Sequence, residues 1–222
     1  MPRISKDPET RRRELIEKAE RLFLKKGYDE TTISDIVNSA GVAQGTFYYY
    51  FKTKDDILDA IAETYVEEVA RKTEEVAARQ DLNALEKMLT ISSSFTGLLK
   101  DKKGIVVHLH EDKNAQLHVK IERKTMAALV EPYAAIIRQG IREGLFQTDY
   151  PEEAVISIIA STSAILDTPE EVAEIAETGA APETEGRTKR MKRNMDALFD
   201  IVETILGAKK GSFKAQMKKA KK

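Results

Sequence analysis

Within six consecutive positions, Gln44, Thr46, Tyr48 and Tyr49 supply hydrogen-bonding side chains and no negative charge. A glutamine amide can pair with the edge of adenine, and a threonine hydroxyl can reach a base or a phosphate. Tyrosine hydroxyls commonly donate to phosphates. This is chemistry for reading a nucleic acid, not for turning over a substrate. Three histidines, His108, His110 and His118, stand near Glu111 and Asp112 and have the donor types of a zinc site. His108 and His110 are two positions apart, however, which puts them on different faces of a helix. No nucleophile stands with a base and an orienting group, and no glycine-rich phosphate loop occurs. The expectation is no catalytic residue, no metal and no cofactor, and therefore not an enzyme. The chain has no cysteine, which excludes disulfides and fits a reducing, cytoplasmic setting.

The reading residues need a rigid helix to present them. The apolar periodicity is helical along the whole chain, and no stretch alternates as a strand would. A first helix is expected over 8–26, capped by Asp7 with Pro8 in its first turn, and buried through Leu15, Ala19, Leu22 and Phe23. Thr32 and Asp35 have capping-box spacing at the start of a second helix, which points Ile33, Ile36 and Val37 inward. Gly41 permits a tight turn, Val42 fills the space beside it, and a third helix follows to Tyr50. Phe47 and Phe51, one turn apart, should be buried together. Three consecutive tyrosines cannot all face inward, so Tyr48 and Tyr49 remain for the surface. Two short helices joined by a glycine turn and packed on a first helix make a helix-turn-helix.

Thr53 and Asp56 open a long fourth helix to about Arg79. Further helices are expected near 82–100, 105–113 and 115–144, the last kinked or broken by Pro132. The helix from Pro151 to about Asp167 is apolar or small on nearly every face, so it should be buried on more than one side. A short polar helix after Thr168, a loop over 179–186 and an amphipathic helix over about 188–206 complete the body. No apolar run approaches the roughly 18–20 residues that span a bilayer, so no membrane association is expected.

Charge divides the chain. Residues 1–54 carry 11 Lys/Arg against 8 Asp/Glu, residues 55–206 carry 18 against 29, and residues 207–222 carry seven lysines and no acid. Basic ends on an acidic body suggest a polyanionic partner. The expected organisation is a helix-turn-helix DNA-binding domain over 1–54, an effector-binding and dimerisation domain over 55–206, and a disordered basic tail over 207–222.

The stretch from Thr31-Thr32 through Gly41-Val42-Ala43-Gln44-Gly45-Thr46-Phe47-Tyr48-Tyr49-Tyr50-Phe51-Lys52-Thr53-Lys54, with Ile57 and Leu58 behind it, resembles the tetracycline-repressor (TetR) family of transcriptional regulators. The resemblance is strong over roughly residues 8–66. A weaker echo runs from Ile136 to Phe146 and into the helix after Pro151. Ala43 departs from a frequent serine, and Gln44 stands where many members carry Lys or Arg. The resemblance implies an all-α fold: a three-helix helix-turn-helix domain plus a helical bundle, forming a homodimer through a four-helix interface. It implies that Thr32, Gly45, Tyr48, Tyr49 and Lys54 hold the DNA backbone, with Tyr50 a further candidate, while Gln44 and Thr46 face bases.

The dimer would form through Val155, Ile158, Ile159, Thr162, Ile165, Met195, Leu198, Phe199 and Val202. An effector pocket would draw on Met88, Ile91, Phe95, Leu99, His110, Met126, Tyr133 and Ile137. The implied partners are a double-stranded operator, a second copy of the chain and a small organic effector, apolar or amphipathic and neutral or cationic. The implied function is that of a ligand-released repressor. Two rivals share much of the pattern: a DNA-binding protein of this fold that activates or organises DNA, and an all-α ligand-binding module with no DNA role.

Overall fold

A computed structural model describes residues 7–101, 105, 108, 115–166 and 185–220. Every regular element among them is an α-helix, so the fold is all-α, as the periodicity predicts. In chain order these are α1 (Pro8–Lys26), α2 (Ile33–Ala40), α3 (Gln44–Tyr50), α4 (Lys54–Ala78), α5 (Ala84–Asp101), α6 (Ala115–Arg142), α7 (Pro151–Leu166), α8 (Glu185–Ile205) and α9 (Ser212–Ala220). The helix expected at 105–113, the short polar helix after Thr168 and most of the loop over 179–186 fall outside the described residues, apart from Ile105 and His108. The chain gathers into two compact units: residues up to 67 together with 101–121, and residues 68–100 together with 122 onward. This division differs from the expected boundary at 54/55, because the start of α4, with Ile105, His108, Leu117 and Ile121, packs with the N-terminal helices.

In the first unit, side-chain caps set the helix starts. Asp7 accepts from the N–H of Thr10 at 3.1 Å, satisfying a first-turn donor of α1. Thr32 and Asp35 form the full reciprocal box at α2. Asp56 accepts from the N–H groups of Lys52 and Thr53, and the Thr53 hydroxyl accepts from the N–H of Asp56, which starts α4. Gly41 ends α2 at φ +65°, a left-handed conformation that a side chain disfavours. Leu15, Ala19, Phe23, Ile36, Val37, Phe47, Phe51, Ile57, Leu58 and Ile61 then bury against one another, with Ile105 in the same core. Phe47 and Phe51 lie 5.7 Å apart between ring centroids, as their spacing predicts. Tyr65 on α4 donates to Glu20 on α1 at 2.7 Å.

The second unit is organised around Met88, Ile91, Ala134, Ile136, Ile137, Phe146, Val155, Ile158, Phe199 and Val202. Asn83 and Glu86 cap the start of α5 reciprocally. Lys87 is buried, and its ammonium donates to the carbonyl of Ala77 and to the Gln139 side chain. The helix expected to kink or break at Pro132 is not broken there, since α6 runs through it. Proline forfeits one backbone bond, but Ala134, Ile136 and Ile137 follow it directly into the core and anchor that part of the helix. Near the end of α6, Gly140 is required by its neighbour: a Cβ there would stand 2.1 Å from the Phe146 ring.

Two expectations are corrected in this unit. Val155, Ile158, Leu198, Phe199 and Val202, assigned to a dimer interface, are buried in the chain's own core. The apolar pattern of α7 predicts burial on more than one side but not which side the protomer itself uses. Its inward side is Ala154, Val155 and Ile158, while Ile156 is 45 % exposed and Ser157, Ala160 and Ala164 are exposed with it. The second correction concerns the tail. Residues 212–220 form α9, not a disordered run. Phe213 is buried between the rings of Phe146 and Phe199. The buried Glu203 carboxylate accepts from the N–H of Gly211 at 2.6 Å and of Phe213 at 3.0 Å, so it caps α9. Lysine content argued for solvation, but one phenylalanine and one distant carboxylate decide the structure.

Candidate nucleic-acid interface

The face of α3 follows from what its core takes. Phe47 is buried and fixes the helix rotation. Gln44, Gly45, Tyr48 and Tyr49 are thereby left exposed, with Tyr48 at 51 % and Tyr49 at 76 %. Thr46 and Tyr50 are half-buried at the margin of that surface. Tyr48 packs edge-on to Phe47 and Tyr49 edge-on to Tyr50, so each exposed ring is braced by an aromatic neighbour. Nothing stands within 4 Å of the place a Cβ would take on Gly45, which leaves the start of α3 open to a close approach. Ala43 at the N-cap makes no side-chain cap, as its departure from serine implies. One short helix thus brings together six candidate residues: Gln44, Gly45, Tyr48 and Tyr49 exposed, with Thr46 and Tyr50 at their margin.

The other two candidates are engaged within the head. The Thr32 hydroxyl donates to Asp35 at 2.6 Å and accepts from the Asp35 N–H at 3.1 Å. The Lys54 ammonium donates to the carbonyls of Tyr28, Asp29 and Thr31 at 2.7, 3.3 and 2.9 Å. Three acceptors match its three N–H bonds. The same ammonium sits 4.1 Å from the centroid of the Tyr28 ring, a cation–π contact. In this structure Lys54 braces the α1–α2 turn. The charge was legible in the sequence, but the carbonyls that take it lie 23 to 26 residues earlier.

Electrostatics stiffen the same turn. Lys26 lies 2.6 Å from Asp35, and this bond, with those from the Thr32 hydroxyl and N–H, holds the Asp35 carboxyl well below the usual carboxylate range. Asp56 is also lowered: slight burial works against its ionised form, but the N–H groups of Lys52 and Thr53 and the Thr53 hydroxyl outweigh it. Burial first, and then the Asp55 carboxylate, push the Tyr28 phenol up, so it stays a neutral donor to Asp55. Arg11 pairs with Glu14 and Arg12 lies over the Phe51 ring, so two of the consecutive arginines Arg11, Arg12 and Arg13 are engaged with the head itself. Sequence reasoning missed Tyr28. Its signal was an aromatic residue directly after the glycine that closes α1.

Of the residues expected around an effector, Met88, Ile91 and Ile137 lie in the core of the second unit, and Tyr133 packs against it half-buried. Met126 is half-buried on α6. The side chains of Phe95, Leu99 and His110 lie outside the described residues. Burial alone pushes the Tyr133 phenol up, and its hydroxyl makes no hydrogen bond among the described residues. Ile159, Thr162, Ile165 and Met195, also expected at the dimer interface, are half-buried.

A short exposed helix of hydrogen-bonding residues, held by a capped partner helix across a glycine turn, defines a helix-turn-helix DNA-binding regulator. The family model described as bacterial regulatory proteins, tetR family, matches residues 15–61. The fatty acid metabolism regulator protein of Bacillus subtilis (strain 168) is 31 % identical over 134 residues, covering 59 % of this chain and 68 % of the relative. The HTH-type transcriptional repressor KstR2 of Rhodococcus jostii (strain RHA1) is 25 % identical over 163 residues, covering 69 % and 76 %. Among solved structures, SmeT of Stenotrophomonas maltophilia in complex with triclosan superposes with a TM-score of 0.61 at 18 % identity, covering 91 % of this chain and 93 % of that one. The chain belongs to the TetR family of bacterial transcriptional regulators.

Proposed function

We propose that this regulator is a ligand-released repressor that binds a pseudo-palindromic operator as a homodimer. The observation that carries this reading is the exposed, acid-free hydrogen-bonding face of α3 on a head braced from within. Gln44 and Thr46 face bases, and Gly45, Tyr48 and Tyr49, with Tyr50 at the edge, hold the backbone. Thr32 acts through the cap it forms and Lys54 through the turn it braces. Two heads related by a two-fold axis enter successive major grooves, about 34–36 Å apart or a multiple of that. The second copy docks on the outward side of α7, where Ile156, Ala160 and Ala164 recur every four residues.

The effector is an apolar or amphipathic organic molecule, neutral or cationic, not a phosphorylated metabolite. The described candidates around it are apolar except for the Tyr133 hydroxyl, which suits a single orienting hydrogen bond in an apolar site. The name of the Bacillus relative, which refers to fatty acid metabolism, agrees with an apolar ligand class. To release DNA, the ligand must favour one arrangement of the heads over the other, since equal affinity shifts nothing.

The test is selection of binding sites from a random duplex pool by the wild-type chain and by Gln44→Ala. The wild type should return an inverted repeat. Gln44→Ala should lose preference at one position per half-site, by about 1–3 kcal/mol. An unchanged consensus would remove Gln44 from the bases, and the absence of any two-fold consensus would overturn the dimeric operator.

A further inference from the structure

His108 belongs to the stretch of body sequence that packs with the DNA-binding head, and it is 4 % exposed. Its ring stacks on that of Tyr28, with centroids 4.0 Å apart and planes 28° apart. The Lys54 ammonium stands 4.1 Å from the same Tyr28 centroid. His108 and Lys54 thus converge on one phenol ring. Phe23 meets the ring edge-on at 4.9 Å, and the phenol donates to Asp55. Tyr28 is therefore held by His108, Lys54 and Phe23 around its ring and by Asp55 at its hydroxyl. The carbonyls that Lys54 binds belong to the turn that ends in Thr32, the cap of α2. Lys54 itself begins α4, three residues after the end of α3 is closed by Phe51.

We propose that His108 is a positioning residue for DNA binding: its ring stacks on Tyr28, which Lys54 also contacts, and this cluster sets the α1–α2 turn from which α2 and α3 are presented. The proposal rests on the reading of α3 as the DNA-facing helix. Ile105 is buried in the same core one helical turn earlier, and Leu117 and Ile121 pack against it, so the stretch that carries His108 is seated on the head at several points. Lys120 adds ion pairs to Asp59 and Glu63 of α4. Through His108 that stretch touches the turn holding the two DNA-binding helices in register. The contact needs a flat ring, not a particular charge, so phenylalanine should substitute for it and alanine should not.

The experiment compares wild type, His108→Ala, His108→Phe and Tyr28→Leu by two readouts. The first is affinity for a duplex selected by the wild-type chain from a random pool. The second is amide hydrogen exchange over residues 27–32 in the absence of DNA. His108→Ala should weaken binding about 3- to 10-fold, the range an aromatic pair supports, and should speed exchange in the turn. His108→Phe should restore both to within about twofold of wild type. The Tyr28→Leu/His108→Ala double variant should be no weaker than Tyr28→Leu alone, because the stack is already lost. Wild-type affinity and exchange in His108→Ala would overturn the proposal, as would equal loss in His108→Phe. Should His108→Ala not fold, the Phe variant and the Tyr28→Leu exchange profile decide in the same way. Should the wild type select no DNA, the reading of α3 fails, and the exchange readout still decides whether His108 sets the turn.

Discussion

Lys54 shows how one side chain changes meaning with its surroundings. A lysine just beyond a DNA-reading helix suggests a phosphate ligand, yet here three carbonyls and an aromatic face surround its ammonium. The two roles make different predictions. A phosphate ligand releases a counterion, so its loss lowers the salt slope of binding by about 1. A brace leaves the slope unchanged. Lys54→Met should weaken binding on every sequence and lower the thermal midpoint while keeping the dependence on salt. Titration at several salt concentrations measures this, and a slope reduced by about one ion would return Lys54 to the phosphates.

The capping carboxylates act at the same scale. Asp35 and Asp56 both have folded-state pKa values below their ordinary ones. A lowered pKa means that their stabilisation is fully present above the unfolded value, about 4. It is lost as the pH falls through the folded value. The DNA-binding head should therefore lose stability steeply on acidification below about pH 4. The Asp35→Asn/Asp56→Asn double variant should be less stable at neutral pH, and its thermal midpoint should fall less between pH 5 and pH 2.5. Parallel pH profiles for the variant and the wild type would contradict this.

Among the elements, α7 and α9 carry the main revisions. Each has a pattern whose meaning depends on what it packs against. The inward side of α7 is filled by the chain itself, so Ile158→Glu would place a carboxylate in the core and unfold the protein. Ile156 offers the cleaner probe, because it is a large apolar side chain left outside. Ile156→Glu should leave the fold intact and convert a dimer to a monomer at micromolar concentration, read by sedimentation. A dimer that persists in this variant would move the interface elsewhere. For α9 the anchor is Phe213. Phe213→Ala should cost about 3–5 kcal/mol, the usual range for a buried phenylalanine. Denaturant unfolding measures it, and a cost near zero would return the tail to solvent.

Across the whole molecule, the features legible in the sequence are those whose causes lie within a few residues. The boxes Thr32–Asp35 and Thr53–Asp56, the Gly41 turn and the Phe47–Phe51 pair are all local, and each is present. A helix cap joins groups three residues apart, and an apolar stripe repeats every turn, so both are written in the linear pattern. Together they define three N-terminal helices, the exposed side of α3 and the TetR-family character of the chain. Tertiary structure alone decided the rest. Glu203 caps a helix starting nine residues later, Lys54 reaches back across α2 and α3, and Tyr28 meets His108 eighty residues on. The inward side of α7 likewise depends on α8 and on the Phe146 turn. A partner brought in by chain folding leaves no spacing rule in the sequence, because hydrogen bonds and ring contacts depend on distance in space and not on separation along the chain.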